Sequence, residues 1–167
     1  MTSESTTLTL SELLRRGLLV RFEPQLRQGD SVRRGLYMPP ALAQWVNERP
    51  SKTSEMRARA TVRAKLGVFA LGAPIDDEVY MKALRGPPVD IWELRPPGVR
   101  IFGAFYGPDR FVCTNRRARA GLDFEAAMKR ADSEWYRLFL NRRRYRAASF
   151  DEYVTDGGIH LGWDDQD

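Results

Sequence analysis

Residues 89–119 read VDIWELRPPGVRIFGAFYGPDRFVCTNRRAR. Three short runs rich in β-branched and aromatic residues, separated by Pro96-Pro97-Gly98 and Gly107-Pro108-Asp109, predict a three-stranded antiparallel meander. Its register carries the functional interest. With Pro97-Gly98 as a two-residue loop, Arg95 lies opposite Arg100; with Pro108-Asp109 as the next loop, Arg100 lies opposite Arg117. Like charges directly opposed across a sheet are destabilising, so a row of three arginines predicts a site for a polyanion.

Alternation assigns Trp92, Leu94, Val99, Ile101, Phe105 and Val112 to a core face packed against helices. The other face carries Ile91, Phe102, Ala104, Tyr106, Phe111 and Cys113 at one end and Glu93, Arg95, Arg100, Asn115 and Arg117 at the other. That pattern predicts a half-covered cleft with a basic mouth. A bulge at Gly107 would replace Arg117 in the row by Arg116 or Ala118 and leave the Arg95–Arg100 pair unchanged.

A chain of 167 residues, 43% hydrophobic and 29% charged, has the size and balance of one globular domain with its own core. No apolar run reaches membrane-spanning length and MTSESTTLTLSELL has no signal-peptide pattern, so the expected compartment is the cytoplasm, with no membrane partner. The single cysteine excludes an internal disulfide. The single histidine argues against a zinc site or a histidine-dependent triad, and no phosphate-cradling glycine loop or other cofactor motif is present, so no cofactor is expected. Cys113, in mid-strand, is expected to be a buried small hydrophobe.

The net charge of +5 hides an asymmetry. From Phe150 onward there are six acidic residues and no Lys or Arg, leaving 27 basic against 16 acidic residues before it, a net of +11. A body that basic favours nucleic acid. The expected organisation is one domain over 1–149 with an acidic C-terminal tail over 150–167, either solvated or lying across the basic face.

Along the chain, Thr9-Leu10-Ser11-Glu12 is a capping-box pattern and Gly17 a stop, predicting a short helix. Leu18–Glu23 reads as a fourth strand for the meander, and Gln25–Gly35 as a loop or hairpin arm. Leu42, Trp45 and Val46 follow Pro39-Pro40 on one face of a helix closed by Pro50. Ser54 is the expected N-cap of a longer helix carrying Ala58, Val62, Leu66 and Phe69 inward and Arg57, Arg59, Arg63 and Lys65 outward. Ile75–Arg85 reads as another short helical segment. After the basic loop following the meander, Phe124, Ala127, Met128, Ala131, Trp135 and Leu138 repeat at helical spacing. Arg142, Arg143 and Arg144, in NRRRYR at that helix's end, suit either the helix dipole or phosphate contact.

A helix pair followed by strand-turn-strand-turn-strand and a basic loop resembles the RelE/ParE/HigB superfamily of toxins from type II toxin-antitoxin systems, and within it the HigB-like, phage-related branch. The resemblance rests on ARATVRAKLGVFALGAPIDDEVYMKALRG (58–86), IWELR (91–95), GVRIFGAF (98–105) and RFVCTNRRAR (110–119), and spans about residues 18–140. It implies an α+β fold: a small twisted antiparallel sheet of about four strands, N-terminal helices on one face and a C-terminal helix. It also implies an mRNA endoribonuclease, metal-independent and ribosome-associated or free, in which the ribose 2′-hydroxyl attacks the adjacent phosphate. Its partners would be mRNA, the ribosome and a cognate antitoxin. By motif, Arg95 is the arginine of the E-L-R element, Arg100 opens the second strand, and Arg117, with Asn115, Arg116 and Arg119 near it, belongs to the basic end of the last. These would fix the scissile phosphate and stabilise its developing charge. Glu93 stands where some members have Lys, and either accepts a proton or neutralises Arg95; Phe124 lies where some have Tyr. The alternative implied by the same superfamily is a non-catalytic module, such as a gyrase inhibitor or a phage-derived binding protein.

Overall fold

The computed structural model describes residues 7–159, which run α1 (Leu10–Arg15), β1 (Val20–Arg21), β2 (Gly35–Met38), α2 (Pro40–Asn47), α3 (Thr53–Ala70), β3 (Met81–Ala83), β4 (Trp92–Leu94), β5 (Val99–Gly107), β6 (Arg110–Ala118), α4 (Phe124–Phe139) and α5 (Phe150–Tyr153). The predicted meander is present as β4, β5 and β6, and Thr9 closes the predicted capping box with Glu12 at the start of α1. Proline at the first turn opens α2, whose Leu42 and Val46 are buried. Asp123 accepts from the Ala126 amide to cap α4. The expected Ser54 cap of α3 is not formed; the helix begins two residues earlier than that cap implies, with Lys52 at the N-cap and no side-chain bond.

The sheet differs from the expectation of about four antiparallel strands with helices on one side. It is mixed and six-stranded, in the order β1-β2-β6-β5-β4-β3, and both faces are covered. Two strands account for the difference. β2 pairs parallel to β6, and all four of its residues are buried, so its sequence shows no alternation; continuous apolarity is what a parallel interior strand requires. The Leu18–Glu23 strand shrinks to Val20–Arg21 and pairs with β2 rather than with the meander. Ile75–Arg85 is not helical: a turn with Glu78 at φ 75° leads into β3, antiparallel to β4.

One layer, formed by α2, α3 and α5, packs Leu42, Val62, Leu66, Phe69 and Tyr153 onto Trp92, Leu94, Ile101, Phe105, Phe111 and Cys113. The other, formed by α1 and α4, packs Leu10, Leu13, Trp135 and Phe139 onto Ala104 and Val112, and Ala127, Met128 and Ala131 onto Phe102. Phe111, Val112 and Cys113 thus occupy the faces opposite to those expected. The cause is a pair of irregularities, one on each strand of the β5–β6 hairpin. Tyr106 is an extra residue between the Phe105↔Phe111 and Gly107↔Arg110 pairs, and Thr114 is an extra residue between Gly103↔Cys113 and Phe102↔Asn115. Gly103 is required there, because a Cβ would stand 2.1 Å from the Val112 carbonyl oxygen. The two offsets cancel, and Arg100 faces Arg117.

Arg34 and Asp109 form a fully buried ion pair, Nε to Oδ1 at 3.2 Å. Arg34 also donates to the carbonyls of Ala73 (2.7 Å) and Thr155 (2.8 Å), and Asp109 accepts from the Thr155 amide (2.8 Å) and hydroxyl. The pair ties the start of β2, the β5–β6 turn and the end of α3 to the segment after α5. Within the expected tail, Tyr153 and Val154 are buried among Trp92 and Phe105, while residues 160–167 lie outside those described.

Candidate nucleic-acid interface

Two rows of side chains cross the α4-side face of the sheet. Register pairs Lys82 with Glu93, Glu93 with Phe102 and Phe102 with Asn115. The next row continues the same pairing from Arg95 at the end of β4 to Arg100, and Arg100 faces Arg117. α4 begins over Phe102, which touches Phe124 edge-on and packs against Ala127 and Met128. The arginine row lies past that first turn, half-buried at Arg95 and Arg100 and exposed at Arg117. The expected half-covered face is therefore seen as a row of arginines beyond the start of α4, without a cleft lined by all three.

Glu93, 3% exposed, sits between two of the arginines: its Oε1 is 3.4 Å from Arg95 Nε and its Oε2 is 3.6 Å from Arg100 Nε. Glu93 Oε2, Arg95 Nε and Arg100 Nε are all buried without a hydrogen-bond partner, so these are ion pairs without hydrogen-bond geometry. Burial pushes the Glu93 carboxyl up from its ordinary value, against the pull of Arg100, Arg95, Lys82 and Arg119. Burial likewise lowers the Arg100 guanidinium; Glu93 opposes that shift, and Arg95 and Arg119 add to it. The guanidiniums are otherwise held by main-chain carbonyls. Arg95 Nη1 donates to Glu78 O, Arg100 Nη1 to Val99 O (2.9 Å) and Pro96 O (3.2 Å), and Arg117 Nη1 to Arg116 O (3.0 Å). Four guanidiniums, counting Arg119, share this corner with one buried carboxylate, and the balance is positive.

The other expected site residues lie elsewhere. Asn115 is buried and faces inward; its Nδ2 donates to Ala127 O (3.3 Å) and its Oδ1 accepts from the Thr114 hydroxyl (2.8 Å), so it fastens α4 to the sheet. Arg116 points to the opposite face, 4.1 Å over the Trp45 ring, which Arg59 also covers at 3.9 Å. Arg142, Arg143 and Arg144 lie on the loop after α4, alongside Val89 and Asp90. Lys82 was missed because its segment was read as a helix; the Met-Lys-Ala alternation is the signal that would have placed it on a strand facing Glu93.

Among the described residues no group of three His, Cys, Asp or Glu side chains is placed to hold a metal, and no helix is long and apolar enough to cross a membrane. Cys113 is fully buried and burial raises its thiol pKa, so it is no nucleophile. Comparison with protein-family models and with curated proteins finds no match to this chain.

Proposed function

We propose that this chain is a toxin-like RNA-binding protein that cuts mRNA in the cytoplasm without a metal, free or on the ribosome, and is held in check by a cognate antitoxin. The observation that carries the reading is the Arg95–Arg100–Arg117 row, gathered on one face outside the cover of α4 with a single buried carboxylate between two of its members. The order of elements behind the resemblance supports it: the helix pair α2–α3 precedes β4–β5–β6, with β3 inserted between.

In this reading the guanidiniums grip the scissile phosphate and stabilise the charge that grows on its oxygens as the 2′-hydroxyl attacks. The 2′-oxygen bonds to phosphorus, the 5′-oxygen leaves with the downstream strand, and one proton must leave the hydroxyl while another reaches the departing oxygen. Arginine stays protonated and cannot accept the first. Glu93, with its carboxyl pKa raised by burial, is the acceptor within reach of both arginines, and Lys82 beside it can supply the second proton.

Purified protein is expected to cleave mRNA in a translation extract, and Arg100→Ala to abolish cleavage with the fold intact. Cleavage that survives in the variant removes the site. A second reading is favoured by the pairing of Glu93 with both arginines, which leaves no unengaged base: a binding module without catalysis, DNA gyrase being one target. Loss of supercoiling with mRNA intact would select it.

A further inference from the structure

A second basic site lies away from this face. The loop after α4 curls back beside the helix's last turns and borders an open concavity of about 720 Å³, within the usual range for small-ligand sites. The loop is anchored on β5, where the Tyr145 amide donates to Phe105 O at 2.8 Å. That anchor is five residues along the strand from Arg100, roughly 17 Å away at the rise of an extended chain.

The cavity's charges are only half neutralised. Arg144 is paired with Asp132 at 2.7 Å and donates to Val89 O, and Arg146 grips both oxygens of Asp90 at 2.9 and 3.1 Å. Arg142 meets the Tyr106 ring at 4.9 Å, and its Nε is buried with no hydrogen-bond partner. Arg143 is exposed and makes no ion pair among the described residues. Two cations therefore remain without an anion in one concavity, beside the Tyr136 ring, which is 59% exposed. The backbone is held hard into this shape. Of the four non-glycine residues with positive φ among the described residues, Asp90 (61°) and Leu140 (53°) both line the cavity, and such conformations persist where surrounding structure enforces them, often around ligands. The Trp135 indole fixes the loop by donating to Arg142 O at 2.8 Å.

We propose that this cavity binds a nucleoside monophosphate unit, its phosphate on Arg142 and Arg143 and its base against Tyr136. A dianionic phosphomonoester matches the two uncompensated guanidiniums, and an exposed aromatic ring is a stacking platform for any base. The unit is either a free nucleotide or the 5′-phosphorylated end of an RNA strand, the two sources of a phosphomonoester. The site uses other residues than the arginine row and stands whether or not that row cuts RNA.

Isothermal titration of the full chain with AMP, adenosine, inorganic phosphate and a 5′-phosphorylated ten-residue single-stranded oligoribonucleotide tests it. AMP should bind saturably and at least about tenfold more tightly than adenosine or phosphate alone. Arg143→Ala should weaken AMP about tenfold and Tyr136→Ala at least about fivefold, both side chains being exposed so that the fold is kept. In an Arg100→Ala background the same two substitutions should weaken AMP by the same factors, which separates this site from the cleavage reading. An oligoribonucleotide that binds tenfold more tightly than AMP, and loses that gain in Arg100→Ala, identifies the source as a strand running between the two sites; equal affinity identifies a free nucleotide. No saturable AMP binding, adenosine binding as well as AMP, or parental affinity in both variants would overturn the proposal.

Discussion

Replacing Glu93 by Gln separates the two things this carboxylate does. With Lys82 paired to Glu78 at 2.9 Å, the parent corner carries Arg95, Arg100, Arg117 and Arg119 against Glu93, a net of three positive charges that the variant raises to four. On single-stranded RNA each neutralised phosphate contributes about −0.7 to the slope of log K against log salt, so the slope steepens from about −2.1 to about −2.8. Affinity rises as well. Glu93 lies 3.6 Å from Arg100, and a phosphate on the far side of that guanidinium sits about 3 Å further on, so the removed repulsion acts over roughly 7 Å. Between half-screened and aqueous dielectric that is roughly 1 kcal/mol, about fivefold in binding constant. The assay is fluorescence anisotropy of a labelled single-stranded oligoribonucleotide over a salt series, with cleavage followed on the same substrate. Tighter binding with cleavage lost makes Glu93 the proton acceptor; tighter binding with cleavage kept makes it only a counter-charge. Unchanged affinity with an unchanged slope would refute the idea that these guanidiniums act together on phosphate.

Three further outcomes follow. Asp109→Ala leaves the Arg34 guanidinium buried without its anion, which should cost about 3–5 kcal/mol and lower the urea midpoint by about 2 M; a shift under about 0.5 M would show that the pair contributes little. Burial raises the folded-state pKa of Glu93 above its unfolded value of 4.5. Its stability contribution is therefore full below that pH and lost as pH rises through the folded value, so the parent should lose stability relative to Glu93→Gln as pH rises above 4.5; a pH-independent gap in urea melts contradicts this. Asn115→Ala should lose about 1–3 kcal/mol of stability without altering the salt slope of RNA binding, because its amide holds α4; a shallower slope would instead return it to the interface.

The sequence made some of this legible and not the rest, for physical reasons. Turn chemistry located the meander, and counting outward from Pro108-Asp109 put Arg100 against Arg117 even though alternation failed between them at Phe111–Cys113. β2 was invisible because four buried residues pairing in parallel carry no period, and with it went the mixed character of the sheet. β3 was lost to a helix reading of a segment whose turn depends on positive φ at Glu78, a conformation rarely adopted outside glycine. The arginines of the row were readable from register; the covering of Asn115 by α4 and of Arg116 by Trp45 was not, because both depend on helices that pack there from other parts of the chain.

The spare residues Tyr106 and Thr114 give this hairpin slack. A chain shortened by Thr114 alone can draw β6 straight and still bring Arg117 across from Arg100, since Cys113 and Asn115 already project to alternate sides. Length variation here can thus be absorbed locally, leaving the phosphate-facing corner in place while the strand around it is shortened.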